Sequence, residues 1–424
     1  MRVLSLFDGM ACGMLAMQDA GITVERYVAF EIDKYAVQTS SHNFPMIEHL
    51  GDVFQADFTE FSGFDFLVGG SPCTYWSIAQ KNNRETEASG MGWELFSQYV
   101  RALKEAQPMY FIYENNKSMS KAIRESITQT FGFEPVCINS ALVSAQNRQR
   151  LYWVGKRNFD GTYSRVHVDQ PEDRGILLRD VLGAESICMR YQRSNEAKKM
   201  RKQYEAGEIH HGFRELSELH PRTDGKTNTI STVLKDNPIC EPVNITKDGK
   251  SQTIKAQYQR TSVADICCYT SAYGASGVAE PIKVGEVGNG GQGNRIYSID
   301  GKSVAQTATS DGIGSNTGLY AIPVEFDGDT PIKAVSLADG KTYTVYKVKD
   351  GQITIKDKQY PIKLADGFYI IRKLTVSECK RLQTVPEWYK FPVSDSQAYK
   401  MLGNGWTILI IAHLIKAINL DKEE

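Results

Sequence analysis

Almost no net charge is carried by these 424 residues: 49 Lys and Arg oppose 50 Asp and Glu, leaving −1. No global basic field therefore advertises a polyanionic partner, although a local basic face is compatible with that balance. Cysteine is sparse and scattered. The eight cysteines (Cys12, Cys73, Cys137, Cys188, Cys240, Cys267, Cys268 and Cys379) form no Cys-x-x-Cys pair. That spacing disfavours zinc, no metal is expected, and a chain of this length needs no disulfide staples. No apolar run reaches the length of a membrane span, and the opening Met1–Asp8 meets an acid too early for a signal peptide. These absences point to a reducing, cytoplasmic setting with no membrane partner.

What is present is a run of strand–turn–helix units. Val3–Phe7 reads as a buried strand, Asp8–Gly13 as the turn after it, and 14–20 as a helix closed by Gly21. A second strand, 27–30, ends in Glu31-Ile32-Asp33, a third short element precedes Gly51-Asp52-Val53, and a fourth covers 64–68. Strands alternating with helices predict an α/β fold: a doubly wound, mostly parallel sheet with ligands at the carboxyl ends of its strands. The first loop lacks the Gly-x-Gly-x-x-Gly that a dinucleotide pyrophosphate requires, which disfavours a nicotinamide oxidoreductase. Glu31 suits the hydroxyls of a ribose, Asp52 an adenine amino group, and Phe7 the face of the ring. An adenosyl ligand without phosphates fits best, and S-adenosylmethionine is such a ligand.

The fourth strand runs into Gly69-Gly70-Ser71-Pro72-Cys73. Two glycines are expected to let the chain turn sharply, and the proline fixes the backbone just before the thiol. A lone cysteine at a strand end is ordinarily core, so its company decides. The strand 109–113 delivers Glu114-Asn115 to the same edge, which makes Glu114 a candidate general acid. Gln146-Asn147-Arg148-Gln149-Arg150 then leads into the strand 151–154, and the two arginines project to one side. Between them, 74–93 is polar and broken by Gly90 and Gly92, as a loop that closes over a substrate would be.

In order along the chain, these stretches resemble the motifs of the cytosine-C5 DNA methyltransferases. Phe7-Asp8-Gly9 with Gly13 is similar to that family's cofactor loop, Pro72-Cys73 to its nucleophile, Glu114-Asn115 to its acid motif and Gln146-x-Arg148-x-Arg150 to its arginine motif. Arg372-Lys373-Leu374-Thr375 with Glu378, Cys379, Arg381, Leu382 and Gln383 resembles the ninth motif, and Gly403-Asn404-Gly405 the tenth, which packs back on the first. The resemblance covers roughly residues 1–160 and 371–424. Two departures stand out: Asn116 occupies the family's usual valine, and Gly405-Trp406 replaces a serine whose hydroxyl would approach the cofactor.

The resemblance implies a DNA (cytosine-5-)-methyltransferase of Rossmann-like fold that uses S-adenosylmethionine and double-stranded DNA. Cys73, Glu114, Arg148 and Arg150 would be catalytic. Phe7, Asp8, Gly9, Gly13, Glu31, Ile32, Asp52, Val53, Pro72 and Asn404 would bind the cofactor. Cytosine C5 is a poor nucleophile until a thiolate adds to C6, which is why the chemistry needs Cys and not Ser. The target base must leave the duplex to be reached. An RNA cytosine methyltransferase and a catalytically silent DNA-binding relative are the rival readings. The enzyme is expected to act as a monomer, and nothing in the chain specifies a restriction endonuclease partner.

Three regions follow: a catalytic and cofactor-binding domain at 1–165, an inserted β-rich target-recognition domain at 166–370, and a returning segment at 371–424. In the insert, Gly, Thr, Ser, Lys and Asp rise and long helices mostly vanish, with 195–207 the exception. Gly225–Ile230, Gly249–Ile254 and Gly301–Thr307 share a Gly-Lys turn entering a Thr-rich strand, and Asp327-Gly328, Asp339-Gly340 and Asp350-Gly351 mark hairpins. The loop 288–295, with its Gln, Asn and Arg, is the candidate base reader. Thr375-x-x-Glu378 is a capping box, and the apolar helix 408–418 is expected to bury itself against the first domain and bring Asn404 beside the loop 8–13.

Overall fold

In chain order the first 165 residues form β1 (Arg2–Leu6), α1 (Cys12–Asp19), β2 (Arg26–Phe30), α2 (Lys34–Asn43), β3 (Glu48–His49), β4 (Phe66–Gly69), α3 (Gly90–Ala106), β5 (Tyr110–Asn116), α4 (Lys121–Phe131), β6 (Val136–Asn139), β7 (Gln149–Arg157) and β8 (Tyr163–Arg165). The computed structural model describes residues 1–77, 84–182, 280–287, 294–306, 318–324, 342–355 and 358–420, with short pieces of backbone between 187 and 252 and at 333–335.

Alternation along the strands dictates the layers. Val3, Phe66, Val68, Tyr110 and Ile112 face one side of the sheet; Leu4, Leu6, Leu67, Phe111 and Tyr113 face the other, and all are buried. A sheet apolar at both parities must be covered on both faces. α1 and the C-terminal helix Ile408–Leu420 cover the first face, α3 and α4 the second. The second face is largely aromatic, with Phe96, Tyr99, Phe131 and Trp153 meeting Phe111 and Tyr113 edge to face or tilted.

The order is β3-β2-β1-β4-β5-β7-β6, with β8 on β7. β1 to β5 are parallel; β7 pairs antiparallel with β5, β6 and β8, so β7 alone runs the other way. That reversal positions the site. It brings the start of β7 to the carboxyl ends of its neighbours, with Asn116 opposite Arg150 and Glu114 opposite Tyr152.

A second sheet of eight strands spans Lys283–Arg372 and has its own core of Val284, Ile296, Ala321, Val348, Ile353, Ile362 and Tyr369. Its hairpin between Thr342–Lys349 and Gln352–Ile355 turns on Asp350 (φ 51°) and Gly351 (φ 69°), the pair of left-handed residues that a two-residue loop demands. Of the three Gly-Lys stretches, Gly225–Ile230 lies outside the described residues, as do most of 195–207 and both Asp327-Gly328 and Asp339-Gly340. Ser251–Gln252 does pair with Asn244–Ile245. The third differs from the expected turn and strand: 301–306 forms no ladder and lies against the segment before β7, where Ser303 makes an isolated bridge to Gln146.

Lys302 fixes that contact. Its ammonium, 1% exposed, donates to the carbonyls of Ala141 (2.8 Å), Ser144 (3.0 Å) and Ile176. Methionine would match the stem and strand three acceptors, so Lys302→Met should destabilise the fold by about 2 kcal/mol. A lower melting temperature in a thermal scan checks this; an unchanged one would show that the carbonyls find other donors.

The chain returns through Val376–Leu382, capped as expected by Thr375 and Glu378, whose carboxylate also pairs with the buried Arg372 at 2.8 Å. Within Asp395–Ile418 an 18-residue window reaches the mean hydropathy of a membrane span, 1.5, contrary to the expectation that no run would qualify, and 61% of that window is buried inside the protein. The stretch is two core helices, Asp395–Asn404 and Ile408–Leu420, and Gly403 and Asn404 close the first.

Candidate active site

Gly69, the last residue of β4, and Gly70 after it do not use left-handed backbone, contrary to the sharp turn expected of them. They allow close approach. A Cβ on Gly69 would lie 2.7 Å from the Leu6 carbonyl oxygen, and one on Gly70 2.8 Å from the Glu114 carbonyl oxygen and 2.9 Å from its Oε2. Beneath the turn the buried Ser71 Oγ lies 2.7 Å from Tyr113 Oη, while Asn115 Nδ2 donates to the Ser71 carbonyl at 3.2 Å and to Tyr113 Oη at 3.2 Å. Sequence reading missed this network, although a Ser, a Tyr and an Asn at the ends of two apolar strands were its signal. Pro72 (φ −49°) caps the short 3₁₀ turn Cys73–Tyr75 and leaves Cys73 half-exposed. Cys12 and Cys379 are buried, and burial pushes the Cys12 thiol up to about 12. Of the predicted closing loop, residues 78–83 lie outside the described ones, whereas Trp76 is wholly buried with its indole N–H on Glu85 at 3.1 Å. α3 begins at Gly90, inside the stretch expected to be loop.

Glu114 is 9% exposed and both its oxygens are engaged. Arg150 Nε lies 3.0 Å from Oε1, and the Trp406 indole N–H donates to Oε2 at 3.0 Å. Side chains at diagonal positions on antiparallel strands share a face, which is how Arg150 reaches Glu114. Arg148, two residues earlier, lies behind the pair. Its guanidinium is 3% exposed and donates to the carbonyls of Gly403 (3.1 Å), Gly405 (2.9 Å) and Gln306 (3.2 Å). Burial, then neighbouring Arg150, draws it down to about 10, so it remains charged at neutral pH. Its donors are spent on backbone, which makes it a brace between three segments.

The loop after β1 places Phe7, Gly9 and Ala11 at φ 58°, 60° and 59°. Glu31 gathers it: Oε2 accepts from Gly9 N at 2.8 Å, Oε1 from Ile32 N and Asp33 N at 2.9 and 2.8 Å. Ile32 beside it is 77% exposed, Asp52 accepts from Phe54 N at 3.0 Å, and Val53 is buried. Gly13 packs so tightly that a Cβ would lie 2.5 Å from Tyr27 Oη. The last segment closes the loop: Trp406 N donates to Cys12 Sγ at 3.4 Å and Tyr389 Oη to the Met10 carbonyl at 2.7 Å, leaving Asn404 exposed nearby. An exposed apolar side chain between two carboxylates, at the carboxyl ends of adjacent strands, suits an adenosine.

Asp8 lies under this loop, 7% exposed, its Oδ1 accepting from Ser5 (2.6 Å) and Tyr27 (2.7 Å) and its Oδ2 without a partner among the described residues. Burial, against those two hydrogen bonds, raises it to about 6. A carboxyl with a raised folded pKa gives its full stability below about pH 4 and loses it as pH rises through about 6. At neutral pH the deficit is on the order of 3 kcal/mol. Asp8→Asn should therefore gain stability relative to the parent between pH 4.5 and 7.5, as denaturant titrations at both pH values would show.

A Rossmann-like sheet carrying a cysteine on the turn after β4 beside an arginine-paired carboxylate is the arrangement a methyltransferase acting through a thiol would need. The sequence model of one family, the C-5 cytosine-specific DNA methylases, matches residues 1–420, and the chain belongs to that family. It is 26% identical to the orphan methyltransferase M.SPRI of Bacillus phage SPR, over 99% of this chain and 97% of that one. To the type II methyltransferase M.HhaI of Haemophilus parahaemolyticus it is 22% identical, over 98% and 93%. The Entamoeba histolytica methyltransferase EhMeth shares the fold at a TM-score of 0.52 and 11% identity, over 100% of this chain and 99% of that one. The protein is a DNA cytosine-5 methyltransferase, and its family implies S-adenosylmethionine as methyl donor.

Proposed function

We propose that Cys73 is the nucleophile and Glu114 with Arg150 the electrostatic partner in methylation of a cytosine flipped from duplex DNA. The observation that carries this is the half-exposed Cys73 on a turn whose Gly70 abuts the Arg150-paired Glu114. Attack of the Cys73 thiolate on C6 pushes electron density toward ring N3 and O2. Glu114 is placed to share a proton with N3 and Arg150 to donate to O2, each stabilising charge that develops only during attack. Phe7, Asp8, Gly9, Gly13, Glu31, Ile32, Asp52, Val53, Pro72 and Asn404 would hold S-adenosylmethionine, whose sulfonium S–CH3 bond would break as the activated C5 took up the methyl group, leaving S-adenosylhomocysteine. Loss of the C5 proton to water and expulsion of Cys73 then restore the aromatic ring. Arg148 acts through the backbone it holds.

The second sheet holds the DNA, and Asn294 with Arg295, at the start of Arg295–Ser298, belongs to the candidate base-reading loop, whose residues 288–293 lie outside the described ones. One chain working alone in the cytoplasm completes the reading. Incubation with S-adenosylmethionine and duplex DNA carrying 5-fluorocytosine tests it, because fluorine cannot leave as the proton does. A denaturation-resistant adduct on the duplex is expected; an adduct on RNA and none on DNA would overturn the substrate.

A further inference from the structure

Trp406 stands where the resemblance to the family's tenth motif fails, and nothing in the reaction as described uses it. Its geometry is specific. The indole N–H reaches Glu114 Oε2 at 3.0 Å across 292 residues, while its own backbone N–H sits 3.4 Å from Cys12 Sγ in the cofactor loop. The turn that carries it is pinned from behind. Arg148 donates to the carbonyls of Gly403 and Gly405, and Gln383 Nε2 donates to the Leu402 carbonyl at 2.7 Å. Gln383 Oε1 in turn accepts from Thr407 Oγ1 at 2.8 Å. Gly405 is itself crowded, its Cβ position 3.0 Å from the Met401 carbonyl oxygen and 3.1 Å from Cys12 Sγ, so the turn lies close against the loop and a side chain there would push the two apart.

We infer that Trp406 is a positioning residue for the catalytic acid: it fixes Glu114 in the rotamer that faces cytosine N3. The inference rests on the reading of Glu114 given above. With Arg150 on Oε1 alone, the carboxylate could swing about that one contact; a second donor on the other oxygen removes the freedom. The same turn touches the cofactor loop, so acid and methyl donor are set in register by one short segment. An indole suits the task because its N–H only donates and its ring is large enough to span from the helix end to the sheet.

Trp406→Phe keeps a ring and deletes the donor. Removing a hydrogen bond to a charged group should lower kcat about 10- to 100-fold while KM for S-adenosylmethionine and for DNA stays within about twofold. The rate of 5-fluorocytosine adduct formation should fall by the same factor. The deciding measurement is the double-mutant cycle with Glu114→Gln: a residue acting through Glu114 loses most of its effect in that background. Additive losses, an unchanged kcat, or a defect confined to KM for S-adenosylmethionine would each overturn the proposal. Full activity of Glu114→Gln by itself would instead overturn the role of Glu114, so the two failures are told apart. Retained S-adenosylmethionine binding by equilibrium dialysis shows that each variant is folded.

Discussion

Cys73→Ala should abolish methyl transfer, with a loss of at least about 10⁴-fold, and should leave S-adenosylmethionine binding within about twofold of the parent. The size follows from the chemistry. Without a covalent bond at C6 the ring carbon C5 has no enamine-like electron density, and among the described residues no second thiol shares the turn with Cys73. Cys12 and Cys379 are buried, Cys12 is held far from the thiolate form, and the half-buried Cys137 lies within β6, where burial raises its thiol too. The expectation for binding follows from the packing. Cys73 is half-exposed, and the turn under it is held by the Ser71, Tyr113 and Asn115 network and by the close approach of Gly70 to Glu114. Alanine leaves all of these in place. The 5-fluorocytosine adduct should vanish with the activity, since both need the S–C6 bond. An adduct that persists in Cys73→Ala would move the nucleophile elsewhere; lost cofactor binding would mean that the thiol supports the pocket.

The elements of the first domain were legible because their code is local. Val3–Phe7 and 64–68 announce buried strands by composition alone, and Thr375 with Glu378 announces a helix start by a spacing that has one geometric meaning. Cys73 and Glu114 could be placed on one edge because both end apolar runs in a series of parallel strands. The direction of β7 is another matter. A period of two is the same whichever way a strand runs, so nothing in 149–157 states that it is reversed, yet the reversal is what brings Arg150 onto Glu114. The same limit applies to Arg148. Its alternation with Arg150 predicts the shared face, but its burial comes from the carbonyls of residues 306, 403 and 405, which are remote in sequence.

Glycine was legible as a requirement and misread as a mechanism. Gly69 and Gly70 are needed because Leu6 and Glu114 come within 3 Å of where a side chain would begin, a fact about neighbours and not about local torsion. Lys302 shows the same thing: a Gly-Lys-Ser pattern that suggests a turn entering a strand proves to carry a buried ammonium tying 301–306 to the carbonyls of residues 141 and 144. Contacts that join distant segments leave no periodicity, and only their residue types, polar where the surroundings are apolar, mark them in the chain.

Glu114→Gln is the sharpest test of how the site activates cytosine. Glutamine has the same shape, so the Gly70 approach and the packing against β7 should survive. Its amide oxygen can still accept from Arg150 or from Trp406, but not from both through two equivalent oxygens. What is lost is the shared proton at N3 and the negative charge that holds the Arg150 guanidinium, which is only 15% exposed. Loss of general-acid assistance costs about 10²–10⁴ in rate, and that range is expected for kcat. The adduct with 5-fluorocytosine should still form, but at a rate lowered by the same factor, because C6 attack and not methyl uptake is the step that needs N3 stabilised. A variant that forms the adduct at the parental rate and fails only afterwards would place Glu114 in the later elimination of the proton and Cys73, and would leave Arg150 as the sole stabiliser of the attacked ring.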